Sequence, residues 1–156
     1  MLLAVISDTH GLLRPELLRE LGARGPFDRI LHAGDVGDSS ILDALRVFAP
    51  VIAVRGNVDR EGICGQLPAT EAVELDSCLI FMLHAIEDLD LNPAAAQIGV
   101  VISGHSHQPS ISYHDGVLYL NPGSAGPRRF KLPITFAILR INSGKPSAEI
   151  IELDME

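Results

Sequence analysis

Hydrophobic positions along the chain fall into short runs that stop at clusters of Gly, Asp, Asn or His. Leu2–Ile6 runs into Ser7-Asp8-Thr9-His10, residues 30–33 into Gly34-Asp35, and residues 51–54 into Arg55-Gly56-Asn57. Largely apolar runs of four to six residues bounded by turn formers predict buried strands. Helical patterns lie between them. Residues 15–21 open on Pro15 and carry Leu17, Leu18 and Leu21. Residues 39–48 place Ile41, Leu42, Leu45 and Phe48 on one face behind a Ser39 or Ser40 cap, and Pro50 stops them. The first third therefore reads β-α-β-α-β, which implies parallel strands and right-handed crossovers.

The remainder predicts strands at 72–75, Cys78–Leu83, 99–103, 110–113, 117–120, 135–141 and 148–153, with a short helix at 92–98. His114-Asp115-Gly116 and Asn142-Ser143-Gly144 are turn signals for antiparallel hairpins. So many strands exceed one small sheet, and two packed mixed sheets covered by helices accommodate them.

With 156 residues, 47% apolar and 21% charged, composition predicts one globular domain over residues 1–156. Aromatics are scarce at 4% and Trp is absent, so Leu, Ile, Val and Ala build the core. Twelve Lys and Arg against twenty Asp and Glu give a net charge of −8. That charge opposes duplex nucleic acid and anionic lipid and favours cations. Cys64 and Cys78 make no disulfide framework. The apolar stretch after Met1 ends at Ser7-Asp8, too short for a signal peptide or a membrane span. These features predict a cytoplasmic protein with no membrane partner, and they leave a homo-oligomer open.

The residues just beyond the strands are where open α/β sheets bind ligands, and here they are metal-ligand types: Asp8, His10, Asp35, Asn57, His84, His105 and His107. Singly, each has an ordinary reading as a cap, a turn former or a hydrogen-bonded His. Together, seven candidates fall at the same end of five predicted strands. Imidazole, carboxylate and carboxamide form a mixed N/O set suited to Mn, Fe, Zn or Ni rather than to Ca.

Asp8-x-His10, Gly34-Asp35, Gly56-Asn57-x-Asp59, His84 and Gly104-His105-x-His107, in that order, resemble the calcineurin-like metallophosphoesterase superfamily. The length and the Asn121-Pro122-Gly123-Ser124 segment are most similar to its small YfcE-type prokaryotic phosphodiesterases. The resemblance implies an α/β fold built as a four-layer αββα sandwich, two mixed β-sheets flanked by helices, around two divalent ions, manganese foremost and Fe, Zn or Ni as alternatives. It implies that Asp8, His10, Asp35 and His107 hold one ion and that Asp35, Asn57, His84 and His105 hold the other, Asp35 bridging. Two cations ~3.5–4 Å apart need such a bridge, and together they acidify a shared water that attacks a phosphoester in line.

The expected catalytic residues are Asp35, Asn57 and Asp59, the last either orienting a ligand, fixing its loop or standing as a solvated turn residue. Arg128 and Arg129 are candidate contacts to a small phosphoester substrate, with a solvated loop pair as the plainer reading. His32 on its buried strand is a hydrogen-bonded core residue that could support the site. Two positions depart from the family pattern. Val58 stands where many relatives have a His that protonates the leaving group, which points to diesters whose leaving groups depart unaided. Ala85 and Ile86 replace a Gly-His pair, which places His84 in question. The alternatives are a phosphomonoesterase using the same site and a non-catalytic protein-binding scaffold of the same fold.

Overall fold

In the computed structural model, which describes residues 1–155, the chain forms ten strands and three helices. Strand β1 spans Leu2–Ile6, followed by α1 (Pro15–Arg24), β2 (Arg29–His32), α2 (Ser39–Leu45), β3 (Val51–Ala53) and the one-turn α3 (Gly62–Gly65). Then come β4 (Thr70–Leu75), β5 (Cys78–Leu83), β6 (Val100–Ile102), β7 (Ser110–His114), β8 (Val117–Asn121), β9 (Thr135–Asn142) and β10 (Lys145–Glu152). The first sheet has the order β10-β9-β1-β2-β3 and the second β4-β5-β6-β8-β7. Both are mixed. In the first, β1, β2 and β3 run parallel and β9 is antiparallel to β1; in the second, β5, β6 and β8 run parallel between antiparallel edges.

Strand alternation sorts the apolar side chains into layers. On β1, Leu3 and Val5 face the second sheet and meet Ile80, Met82, Val100, Ile102, Leu118 and Leu120, while Ala4 and Ile6 face α1 and α2. Helix α1 begins at Pro15, whose missing N–H costs nothing in a first turn, and packs Leu17 and Leu21. The cap of α2 is Asp38, one residue before the expected serines, and its carboxylate accepts from Ser40 N–H. That helix closes at Leu45 rather than running to Phe48, because its bonds tighten to i→i−3 at Val47 and Phe48 ahead of Pro50.

The fourth layer is thinner than expected. Residues 92–98 make a run of turns instead of a helix. Only Pro93 and Ile98 are buried there, and Gln97 adopts a positive φ of 61°. Seven residues with only Pro93 and Ile98 turned inward cannot repay helix nucleation. Ile98 of this segment and Leu89, which follows a 3-10 turn at Ile86–Asp88, pack with Leu83, Val101 and Val117 on the outer face of the second sheet. No helix among the described residues is long and apolar enough to cross a membrane.

Candidate metal centre

The candidate ligands leave the carboxyl ends of β1, β2, β3, β5 and β6. The loops after β1 and β2 zip together: Asp8, His10 and Gly11 donate backbone N–H groups to Gly34, Asp35 and Val36 carbonyls at 2.8–3.0 Å. The two sheets are joined here as well. His105 N–H donates to Asp8 Oδ2 at 3.0 Å, and Gly104 makes that approach feasible, since a Cβ at 104 would collide with Ser7 Oγ and Asp8 Oδ2. Gly56 lies as close to the Asp35 carboxylate. Asp8, His10, Asp35, His105 and His107 all have positive φ, five of the eleven such non-glycine residues among those described. Each costs free energy, and their concentration at one place marks a backbone shaped for a task rather than for stability.

Two donor clusters result, Asp8-His10-His107 and Asp8-Asp35-His84. Asp35 Oδ2 lies 3.4 Å from His10 Nε2 and 3.2 Å from His84 Nε2, between the two sets. Asp8 Oδ1 is 3.4 Å from His107 Nε2 and 3.7–3.8 Å from His10 and His84, so Asp8 also reaches both. His105 and Asn57 are exposed and line the same cavity as His84, with the His105 ring edge-on to His84 at 5.2 Å. The core of the centre is therefore two carboxylates and three imidazoles, with Asn57 and His105 at its rim.

The donors are aimed, and the aiming is done by backbone. His84 Nδ1 is 2.8 Å from the Ala33 carbonyl. A carbonyl only accepts, so Nδ1–H donates there and Nε2 is the nitrogen left facing the carboxylates. Ala85 sits in extended backbone (φ −114°), where glycine confers no advantage, so the departure at Ala85 and Ile86 leaves His84 in place. Asp8 Oδ2 accepts from Ser7 Oγ, which frees Oδ1. Val58 N–H donates to Asp35 Oδ1, which frees Oδ2.

The charges follow. Burial pushes the Asp35 carboxyl up, but His84, the Val58 amide and the charge of His10 outweigh it and bring it down to about 2. Burial acts the same way on Asp8, and the nearby His10, Ser7, His84 and His107 hold its pKa below the usual range. Asp8 raises His10, and the carboxylates overcome burial to raise His84. His107 is lowered by burial.

Asp59, on the β3 loop, turns its carboxylate to the backbone of the β2 loop. Buried at 4% exposure, its carboxylate accepts from the backbone N–H groups of Val36, Gly37 and Gly56 at 2.9–3.1 Å, tying the β2 loop to the β3 loop. His32 ties the β1 loop. Thr9 Oγ1 gives its single proton to the Val36 carbonyl, so His32 Nε2–H donates to Thr9 while Nδ1 accepts from Gly34 N–H. Arg129 and Arg128 line a cavity with His10 and His107, and Arg128 also donates to the Leu132 carbonyl. Ser7, Asn121 and Ser124 also shape the site, although none lies in a ligand motif. Asn121 donates to Gly104 O, and Ser124 Oγ donates to Asp8 O. Their only local signal is adjacency to strand ends.

Among the described residues, six buried side-chain N or O atoms lack a hydrogen-bond partner. Five are here: Asp8 Oδ1, His10 Nε2, His84 Nε2 and both ring nitrogens of His107. An unpartnered buried polar atom costs about 1–3 kcal/mol, so such convergence fits a bound cation, and the mixed N/O donors fit a divalent transition metal.

Residues 1–144 match the model of the calcineurin-like phosphoesterase superfamily domain. A probable metallophosphoesterase of Methanothermobacter thermautotrophicus is 37% identical, the alignment covering 97% of this chain and 92% of that protein. The phosphodiesterase YfcE of Escherichia coli is 29% identical over 89% of this chain and 87% of its own. In fold, the chain resembles Vps29 of Entamoeba histolytica in complex with Zn²⁺, with a TM-score of 0.75, 23% identity and coverage of 99% and 100%.

Proposed function

Since the chain belongs to the calcineurin-like phosphoesterase superfamily, and is thereby a metal-dependent hydrolase of phosphoester bonds, we propose that it is a phosphodiesterase acting on small diesters with two divalent cations, manganese foremost. The observation that carries this reading is the meeting of four unpartnered buried donor atoms, Asp8 Oδ1 and the Nε2 atoms of His10, His84 and His107, around the Asp8 and Asp35 carboxylates. Asp8, His10, Asp35 and His107 would hold one ion and Asp35, Asn57, His84 and His105 the other. When bound, such a pair supplies Lewis-acid stabilisation of phosphoryl charge and an acidified water.

The chain's own groups hold that centre in shape. Asp59 fastens the loops that carry Asp35 and Asn57, and the Ala33 carbonyl sets the His84 tautomer. Arg129, beside His10 and His107, offers paired donors to a phosphate. Val58 offers no proton to a leaving group, which favours esters whose leaving groups depart unaided.

The test compares bis-(p-nitrophenyl) phosphate with p-nitrophenyl phosphate in Mn²⁺. We expect higher kcat/KM on the diester, and a loss of at least about 10³-fold in kcat for Asp35→Asn and His107→Ala with unchanged circular dichroism. Turnover that survives exhaustive chelation would refute the metal-dependent mechanism, and faster monoester turnover would make the protein a phosphomonoesterase.

A further inference from the structure

Residues 128–131 read Arg-Arg-Phe-Lys, three of the twelve cationic side chains within four positions of an otherwise acidic chain. The root of this arm is built into the metal centre, since Ser124 Oγ lies 3.0 Å from Asp8 O and Arg14 Nε donates to Gly126 O at 2.9 Å. Its tip is closed by Leu132 N–H to Arg129 O and by the Arg128 guanidinium to Leu132 O. There Phe130 is 88% exposed at a φ of +54°. A bulky residue in left-handed backbone is an outlier, and burial returns nothing for it at this position.

Arg129 is a wall of two adjoining cavities. One, of about 240 Å³, is shared with His10 and His107; the other, of about 930 Å³, is lined by Ser106, Gln108, Phe130, Lys131 and Leu132. Arg129 thus stands between the cavity of His10 and His107 and the one that Phe130 lines. The opposite flank, beside His84 and His105, holds Glu87 and Asp88 with Arg55, so excess negative charge on a substrate is directed to the arm.

We propose that the 128–131 arm recognises a nucleoside on the substrate, its base stacking on Phe130 while Arg129 pairs with the phosphate. The preferred substrate is then a nucleotide-bearing phosphodiester, an inference that rests on the phosphodiesterase reading. A bare phosphate needs cations alone, and an alkyl ester has no use for a π face. Cations interleaved with an aromatic ring are the combination that binds nucleotides. The larger cavity also falls in the size range of small-molecule clefts.

Thymidine 5′-(p-nitrophenyl phosphate) and methyl p-nitrophenyl phosphate share a leaving group and a charge and differ in the base. In the Mn²⁺-loaded protein we expect the thymidine ester to have about tenfold higher kcat/KM, carried by KM. Phe130→Ala should erase the advantage and Phe130→Trp should keep it. The Trp variant also gives the chain its sole Trp, so thymidine 5′-monophosphate should quench its fluorescence and methyl phosphate should not. Equal rates on both esters without base-dependent quenching, or an advantage that survives Phe130→Ala, overturns the proposal. If quenching occurs while neither ester is cleaved, the arm stands and the phosphodiesterase reading falls. If only anionic vesicles bind the arm, it is a membrane contact and the nucleotide proposal fails.

Discussion

Val58 shows how one side chain can set the chemistry available to a site. Its amide holds Asp35 Oδ1 at 3.0 Å, a job any residue but proline could do, while its 45% exposed side chain stands beside Asn57 and carries no proton. Val58→His would restore a proton donor at that spot without touching the amide. We expect the dependence of log kcat on leaving-group pKa to flatten, with alkyl diesters gaining about 10²-fold or more while activated aryl esters change little. An unaltered slope across a series of substituted esters would mean that leaving-group protonation does not limit turnover. The same scale explains a residue the sequence could not resolve. Asp59 was legible as a group near the ligands, but whether it faced an imidazole or the backbone depended on Val36 and Gly37 arriving from another loop.

Between elements, the buried His32 on β2 is the joint. Its ring accepts from Gly34 N–H and donates to Thr9, a neutral state with both nitrogens satisfied, and burial lowers its pKa from 6.5 to about 4. The sign of the linkage follows. Below pH 6.5 the unfolded chain takes up a proton that the folded ring refuses, so this contribution is complete above 6.5 and lost progressively as pH falls to about 4. The full loss is about 3 kcal/mol, from the 6.5 and about 4 cited. Urea unfolding of the metal-free protein between pH 4 and 7 should therefore be flatter for His32→Gln than for the parent chain. Parallel curves for the two proteins would show that His32 carries no such linkage. The strands themselves were legible because each is a short apolar run closed by turn formers. Residues 92–98 depart from the predicted helix because so short a stretch, with only Pro93 and Ile98 buried, has no amphipathic face to repay nucleation.

For the whole molecule, the candidate metal centre lies at the seam between the sheets. Asp8, His10, Asp35 and Asn57 come from the first sheet, and His84, His105 and His107 from the second. Two direct bonds cross there, His105 N–H to Asp8 and His84 to Ala33 O. Cations shared across the seam would clamp the layers, and ligand binding to the folded state adds about 2.7 kcal/mol at a hundredfold excess over Kd. Removing metal with a chelator should lower Tm by roughly 5–10 °C, and readdition of Mn²⁺ should restore it. A Tm indifferent to chelation would mean that these residues hold no cation tightly. The likeness to Vps29 concerns the arrangement of layers, and a shared fold does not by itself assign a role.

The sequence by itself determined the strands, the parallel first half and the identity of all seven candidate ligands. Each is encoded locally, in an apolar run and the polar residues that end it. Only the tertiary structure decided which donors meet, that both Asp8 and Asp35 reach across the two clusters, that Ala85 leaves His84 in place, and that an arm ending in Phe130 borders His10 and His107. Those outcomes depend on distances between segments up to about a hundred residues apart, which packing of the two sheets fixes and no local pattern records.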